Sequence, residues 1–303
     1  MAEGEDRRRC GFIAIVGAPN AGKSTLLNAL VGAKVSIVSP KVQTTRSRVL
    51  GIAVEGNAQL VYVDTPGIFS APKRRLERAM VQAAWQGARD ADVTLVLVDA
   101  RRGVTEEVDR IAGHVDELGN VAILVLNKID LVKRTALLAL AAQLNGRAAF
   151  DETFMISALN GDGVDDVRRH LAARLPAAEW LFPEDQLSDM PQRLLAAEIT
   201  REQVFLQLHQ ELPYDVAVET ESWEAFEDGS IRVGQIVYVR RESQKGIVLG
   251  KGGGRIKKIG EAARAELAAM LDAEVHLVVH VKVQPNWIDD PDRYRDLGLE
   301  HGA

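Results

Sequence analysis

The run Gly17-Ala18-Pro19-Asn20-Ala21-Gly22-Lys23-Ser24, directly after the apolar stretch Phe12-Ile13-Ala14-Ile15-Val16, constrains this chain more than any other feature. It predicts a strand, a glycine loop and the start of a helix, the order that cradles a nucleoside triphosphate. Glycines let successive backbone N–H groups turn onto phosphate oxygens, and the helix N-terminus adds partial positive charge. In this reading residues 17–24 line the phosphates. Lys23 reaches the β- and γ-phosphates, and the Ser24 hydroxyl ligates Mg²⁺.

Three further motifs follow apolar runs. Leu60-Val61-Tyr62-Val63 leads into Asp64-Thr65-Pro66-Gly67-Ile68. An acid at 64 suits the Mg²⁺ shell, and the Gly67 N–H suits the γ-phosphate, with Thr65, Pro66 and Ile68 beside it. The run from Val121 to Leu126 leads into Asn127-Lys128-Ile129-Asp130. The Asp130 carboxylate can accept two hydrogen bonds from guanine N1–H and its exocyclic amine, and the Lys128 stem can lie over the base. Phe154-Met155-Ile156 leads into Ser157-Ala158, whose backbone N–H groups suit guanine O6. Each tetrapeptide alone is a common turn. Together they sit after the C-terminal ends of predicted strands, where open α/β sheets place ligands. The expectation is guanine nucleotide, GTP or GDP, with Mg²⁺.

Between the first two motifs lies Gln43-Thr44-Thr45-Arg46-Ser47, a candidate first switch. Thr45 is the residue expected to close on Mg²⁺ beside Ser24 and Asp64, with Thr44 as the alternative. Position 68 is an isoleucine, where Ras-like GTPases carry a glutamine that orients the attacking water. Turnover of about 10⁻⁴ to 10⁻² s⁻¹ is therefore expected, unless a partner or a monovalent cation assists.

The chain has 303 residues, enough for two domains, and a single cysteine, Cys10, which fits a reducing cytosol. Residues 1–9 lack an apolar segment of the signal-peptide kind, and no run approaches the length of a membrane span. Residues 1–180 hold 23 Lys+Arg against 21 Asp+Glu, whereas residues 181–303 hold 14 against 22. That acidic second half looks unsuited to nucleic acid. Yet residues 240–258 carry Arg240, Arg241, Lys245, Lys251, Arg255, Lys257 and Lys258 against Glu242 alone. Local patches set phosphate attraction within a Debye length of about 10 Å.

Periodicity predicts strands near 12–17, 48–55, 58–64, 93–99, 121–126 and 152–156, with helices near 22–31, 76–88, 105–118, 134–144 and 163–175. The fold expected is α/β: a doubly wound, mostly parallel sheet with one antiparallel hairpin around Glu55-Gly56-Asn57. Residues 1–178 form this domain, 179–191 a linker, and 192–303 a smaller α+β domain with a C-terminal tail. In the latter we expect a helix from Gln192 to Leu212 ended by Pro213, and strands at 215–223 and 230–240. A glycine loop at Gly250-Lys251-Gly252-Gly253, a helix opening at Arg255-Ile256-Lys257-Lys258 and a strand at 274–283 follow. This matches the G-x-x-G clamp of KH domains, and a type II KH domain is expected. Those eight residues are the candidate RNA contacts. Trp223, Tyr238 and Trp287 read as core, and His209, His276 and His280 show no metal-ligand spacing.

The whole set resembles the bacterial Era family of GTPases. The likeness rests on residues 17–24, Gln43-Thr44-Thr45-Arg46, residues 64–67, 127–130 and 157–158, and the stretch Phe182-Pro183-Glu184-Asp185-Gln186. It extends to the loop at 250–253, Trp287-Ile288-Asp289-Asp290 and Leu297-Gly298. The resemblance implies a cytoplasmic, GTP-hydrolysing factor of 30S ribosomal subunit assembly that binds the 3′ end of 16S rRNA. It also implies peripheral contact with the inner face of the membrane, and a hydrophobic residue at position 68. Asn20 resembles the asparagine linked to K⁺ in related GTPases. Nothing in the sequence suggests coiled-coil pairing, so a monomer is expected. Two other readings compete: an RNA-binding module whose nucleotide only stabilises the fold, and a signalling GTPase whose basic face meets anionic lipid.

Overall fold

Strand β4 (Val93–Asp99) is buried at every position and β5 (Val121–Asn127) at all but its first. Strands apolar on both faces belong in a parallel sheet covered by helices on each side. The computed structural model describes residues 7–39, 49–68, 75–208, 212–285 and 287. They fall into two compact units, one of residues 7–36 and 49–189, the other of residues 37–39, 190–285 and 287.

The first unit adds β1 (Arg9–Gly17), β2 (Val49–Glu55), β3 (Ala58–Asp64) and β6 (Glu152–Ile156) in the order β2-β3-β1-β4-β5-β6. Only β2 runs antiparallel, joined to β3 by a turn in which Gly56 takes φ +58°. Five helices intervene: α1 (Lys23–Val31), α2 (Arg75–Arg89), α3 (Glu106–Val115), α4 (Arg134–Asn145) and α5 (Val164–Arg174). Ala14, Val16 and Val96 of the central strands pack with Ala84 and Ala88 of α2 and Ile111 and Val115 of α3. Val98, Leu124 and Leu126 pack with Leu137, Leu140 and Leu144 of α4. The ladders place Ile15 opposite Asp64, Gly17 opposite Leu97, and Asn127 opposite both Asp99 and Ile156. The carboxyl ends of five strands thus line one edge of the sheet, and the four nucleotide motifs leave from it.

Much of the stretch expected as a linker is fastened to this unit. Gln59 of β3 accepts the N–H groups of Leu181 and Phe182 on its Oε1 at 2.9 and 3.0 Å, and donates from Nε2 to the Phe182 carbonyl at 2.8 Å. Trp180 and Phe182 pack on Cys10, Leu50, Val61 and Val63. Further along, the Ile52 N–H donates to the Leu187 carbonyl at 2.8 Å, and the Ser188 hydroxyl donates to the Leu50 carbonyl at 2.8 Å. The boundary between units therefore follows Asp189.

The second unit runs α6 (Gln192–Gln207), β7 (Ala217–Ala225), β8 (Ile231–Val239), α7 (Glu242–Leu249), α8 (Gly254–Leu271) and β9 (Val275–Val283). Its sheet is ordered β7-β8-β9, with β8 and β9 parallel. Val204, Val237, Val248 and Ile259 fill one part of the core, and Ile199, Val233, Ala263 and Leu267 another. Two features differ from expectation. Helix α6 stops at Gln207, where Leu208 turns extended, and Pro213 sits in a separate 3₁₀ turn, Leu212–Asp215. Helix α7 was not anticipated. Tyr238 and Trp287 are buried together against Ile236, and Trp223 packs on the core, as expected. His276 and His280 are exposed on β9, while His209 lies outside the described residues. Among the described residues no helix is long and apolar enough to cross a membrane.

Candidate functional site

At Gly17, the last residue of β1, a Cβ would meet the Leu97 carbonyl at 2.5 Å, so the backbone there lies too close to β4 for a side chain. The loop then turns through Asn20 and Gly22, both left-handed at φ +63° and +102°. At Gly22 a Cβ would stand 2.4 Å from Asn127 Nδ2, so only glycine lets the loop lie against β5. Helix α1 begins at Lys23. Lys23 is buried (7% exposed), and its ammonium donates to the Gly17 and Ala18 carbonyls, each at 3.1 Å. Burial lowers its pKa to about 8, and the Asp64 carboxylate pulls it partly back.

Asp64, at the end of β3, is fully buried beside this loop. Its Oδ2 accepts the Ser24 hydroxyl at 2.7 Å, which brings together two of the three oxygen groups expected around Mg²⁺. Sequence reasoning missed another hydroxyl here, that of Ser36, which donates to the same oxygen at 3.1 Å. It stands there because Asn28 of α1 accepts the Val35 and Ser36 N–H groups at 2.9 and 3.0 Å. The Thr65 hydroxyl donates to the Ile15 carbonyl at 2.7 Å, and Gly67 approaches Pro19 so closely that a Cβ would meet its Cα at 3.1 Å. Pro66 joins the two, and Ala18 and Ala21 complete the loop. Ile68 is 1% exposed and belongs to the core with Ala14 and Val16, while its N–H donates to the Gly17 carbonyl at 3.2 Å.

On the base side, Asn127 ties the motifs to one another. Its Nδ2 donates to the Ala21 carbonyl at 2.9 Å, and its Oδ1 accepts the Ala158 N–H at 3.0 Å. Lys128 is left-handed at φ +65°, and its ammonium donates to the Asn20 carbonyl at 2.7 Å. Ile129 and the exposed Asp130 follow in a 3₁₀ turn. Ser157 is fully buried, its N–H donating to the Asp162 carbonyl at 3.0 Å. Phosphate loop, acid and base motifs therefore meet at one edge of the sheet. Gln43, Thr44, Thr45, Arg46 and Ser47 lie outside the described residues.

In the second unit α7 and α8 flank the loop Gly250-Lys251-Gly252-Gly253. Gly250 has φ +71°, ψ 176°, and Gly252 and Gly253 are left-handed. The loop opens onto the N-terminus of an 18-residue helix. Leu206, Gln207, Gly250, Lys251, Gly254, Arg255 and Lys258 line an open pocket of about 490 Å³ beside it. Ile256 packs inward on the core. Lys257 stands 3.9 Å from Glu261 on the surface, and Arg255 donates to the Ile247 carbonyl at 2.6 Å. Arg240 lies 3.7 Å from Asp215.

A family model described as a 50S ribosome-binding GTPase matches residues 12–128, and a KH-domain model matches residues 211–288. The protein named GTPase Era of Afipia carboxidovorans is 61% identical over 292 residues, 96% of this chain and 94% of that protein. Its counterpart in Bradyrhizobium diazoefficiens is 59% identical with the same coverage. The crystal structure of Era in complex with MgGDPNP and nucleotides 1506–1542 of 16S ribosomal RNA superposes with a TM-score of 0.91 at 40% identity, covering 96% of this chain and 99% of that one. An Aquifex aeolicus Era variant bound to GDP·AlF4⁻ gives a TM-score of 0.90 at the same identity and coverage. Likeness of this extent, across both units, makes the chain a member of the Era family of GTPases.

Proposed function

We propose that this chain is a GTP-hydrolysing switch that holds the 3′ end of 16S rRNA through its KH unit and assists maturation of the 30S subunit. The observation that carries the reading is the meeting of Lys23, Ser24, Asp64, Asn127 and Ala158 at one sheet edge, in a chain that also carries the glycine loop at 250–253. A nucleotide site alone would leave that second loop unexplained. The likeness to the RNA-bound relative spans nearly the whole chain, whereas the model that names the 50S subunit matches residues 12–128 only. We therefore assign the small subunit.

In this mechanism Lys23 and the backbone amides of residues 17–24 hold the phosphates, and the Gly67 N–H meets the γ-phosphate. Asp130 accepts from guanine N1–H and its amine. The Ser157-Ala158 turn, whose amides are already held by the Asp162 carbonyl and Asn127 Oδ1, borders O6 and would meet it only by sharing the Ala158 N–H. Water attacks the γ-phosphorus, the bond to the β–γ bridging oxygen breaks, and GDP and phosphate leave. Ile68 is buried in the core and cannot orient that water, so the isolated protein is slow. The hard oxygens of Ser24, Asp64 and Thr45 suit Mg²⁺, which supplies charge neutralisation at the phosphates when bound. Asn20 is the candidate for K⁺. GTP would order Thr45 and the segment after Gly67. The Gly250, Lys251, Gly252 and Gly253 backbone would then admit the sugar-phosphate chain, with Arg255, Lys257 and Lys258 as cations and Ile256 behind an unstacked base. The protein acts in the cytoplasm as a monomer, with peripheral contact with the inner face of the membrane.

The test is binding of a short RNA ending in the 16S 3′ sequence, with a GTP analogue and with GDP at one salt concentration. Tight, analogue-dependent binding lost in Gly253→Asp is expected, and absence of selective binding in both states overturns the RNA assignment. Hydrolysis should vanish in Lys23→Ala and run faster in KCl than in NaCl. A rate above about 1 s⁻¹ for the isolated protein would overturn the slow-switch reading.

A further inference from the structure

Thr94 apart, strands β4 and β5 are apolar up to their last positions, where Asp99 and Asn127 face each other in the ladder. Asn127 belongs to the base-side motif, whereas Asp99 belongs to none of the motifs. Asp99 is nevertheless 5% exposed, and both of its oxygens are engaged. Oδ1 accepts the Arg101 N–H at 3.0 Å, and Oδ2 accepts from the Lys128 ammonium at 2.6 Å. That ammonium reaches the Asn20 carbonyl of the phosphate loop with another of its protons.

Lysine has a long stem with many rotamers, and ordering it costs entropy that a specific partner must offset. Burying a carboxylate without such a partner is costly. Here the pair is short, sits largely out of water, and fixes the far end of Lys128 while its left-handed backbone fixes the near end. The stem between them is the part that would lie over the purine.

We propose that Asp99 is a positioning residue for nucleotide binding, which anchors the Lys128 ammonium so that its stem forms a preset platform for the base and braces Asn20. The inference rests on reading this edge as a guanine-nucleotide site. Asp99 acts only through Lys128, whose stem meets the ring face common to all purines, while Asp130 reads the edge that distinguishes guanine.

The experiment is release of fluorescently labelled GDP from the full chain. Asp99→Asn keeps the shape and the acceptor for Arg101 but removes the charge, and should speed release about tenfold, the scale of one charge-assisted hydrogen bond. Lys128→Met should do the same, and the double variant should be no faster than Lys128→Met alone. The ratio of GDP to IDP affinity should stay at the wild-type value in Asp99→Asn. Release at the wild-type rate, a full additional tenfold on the Lys128→Met background, or a changed GDP/IDP ratio overturns the proposal. A wild-type protein that binds GDP no better than ADP overturns the site reading instead. Should Asp99→Asn fail to fold by circular dichroism, Asp99→Glu takes its place in the cycle, and full additivity with Lys128→Met overturns the proposal.

Discussion

Desolvation sets the chemistry of Lys23. Its pKa of about 8 in the folded chain lies below the 10.5 of a solvated lysine. Between those values the unfolded chain binds the extra proton, so this group's contribution to the stability of the ligand-free protein rises from about pH 8 to 10.5. Nucleotide binding runs the other way, because phosphate needs the ammonium charged. GDP affinity should be level below about pH 8 and fall about tenfold per pH unit above it. Titration of labelled GDP between pH 7 and 9 measures this on the scale set by that value, and Lys23→Ala should lose the slope. Cys10 is shifted too: burial raises its thiol pKa, so alkylation in the folded protein should be slow.

At the level of elements, the loop at 250–253 shows how unevenly its glycines are needed. Gly250 sits at φ +71°, ψ 176°, a region open to glycine alone, and a Cβ there would meet the Arg255 Cβ at 2.7 Å. Gly252 is left-handed at φ +58° with open space around it. Denaturant unfolding should show Gly250→Ala costing about 3 kcal/mol and Gly252→Ala about 1 kcal/mol. The sequence made this loop legible because glycine and charge are local signals. Helix α7 was hidden for the converse reason: Gly246 reads as a breaker, and Val248 is the helix's one buried residue. What secures it is capping, with Gln244 Oε1 accepting the Arg240 and Arg241 N–H groups at 2.8 and 3.1 Å. The end of α6 was misread because Pro213 looked like the breaker, while the chain had already turned extended at Leu208. That the nucleotide motifs follow strands was readable, because the apolar runs before them are local signals. Ser36 and Asp99 were not, since their roles depend on a loop pinned by Asn28 and on the pairing of β4 with β5.

At the scale of the whole molecule, the first unit carries residues that composition would assign to the space between domains. Gln59 is fully buried and serves both backbone faces of Phe182 as well as the Leu181 N–H. Replacing it with Leu would leave those amides unsatisfied, at a cost of about 1–3 kcal/mol. Hydrogen exchange should then quicken at residues 180–182 while β7, β8 and β9 keep wild-type protection. Uniform acceleration in both units would count against this local account. The contacts of residues 187 and 188 fall on β2, the end strand of the sheet order, whose outer backbone would otherwise be open to pairing with another chain. This bears on chimeras that exchange RNA-binding units between relatives. A join at residue 178 strips that strand of its cover and invites self-association, whereas a join after Asp189 hands over a nucleotide-binding half with its edge already closed.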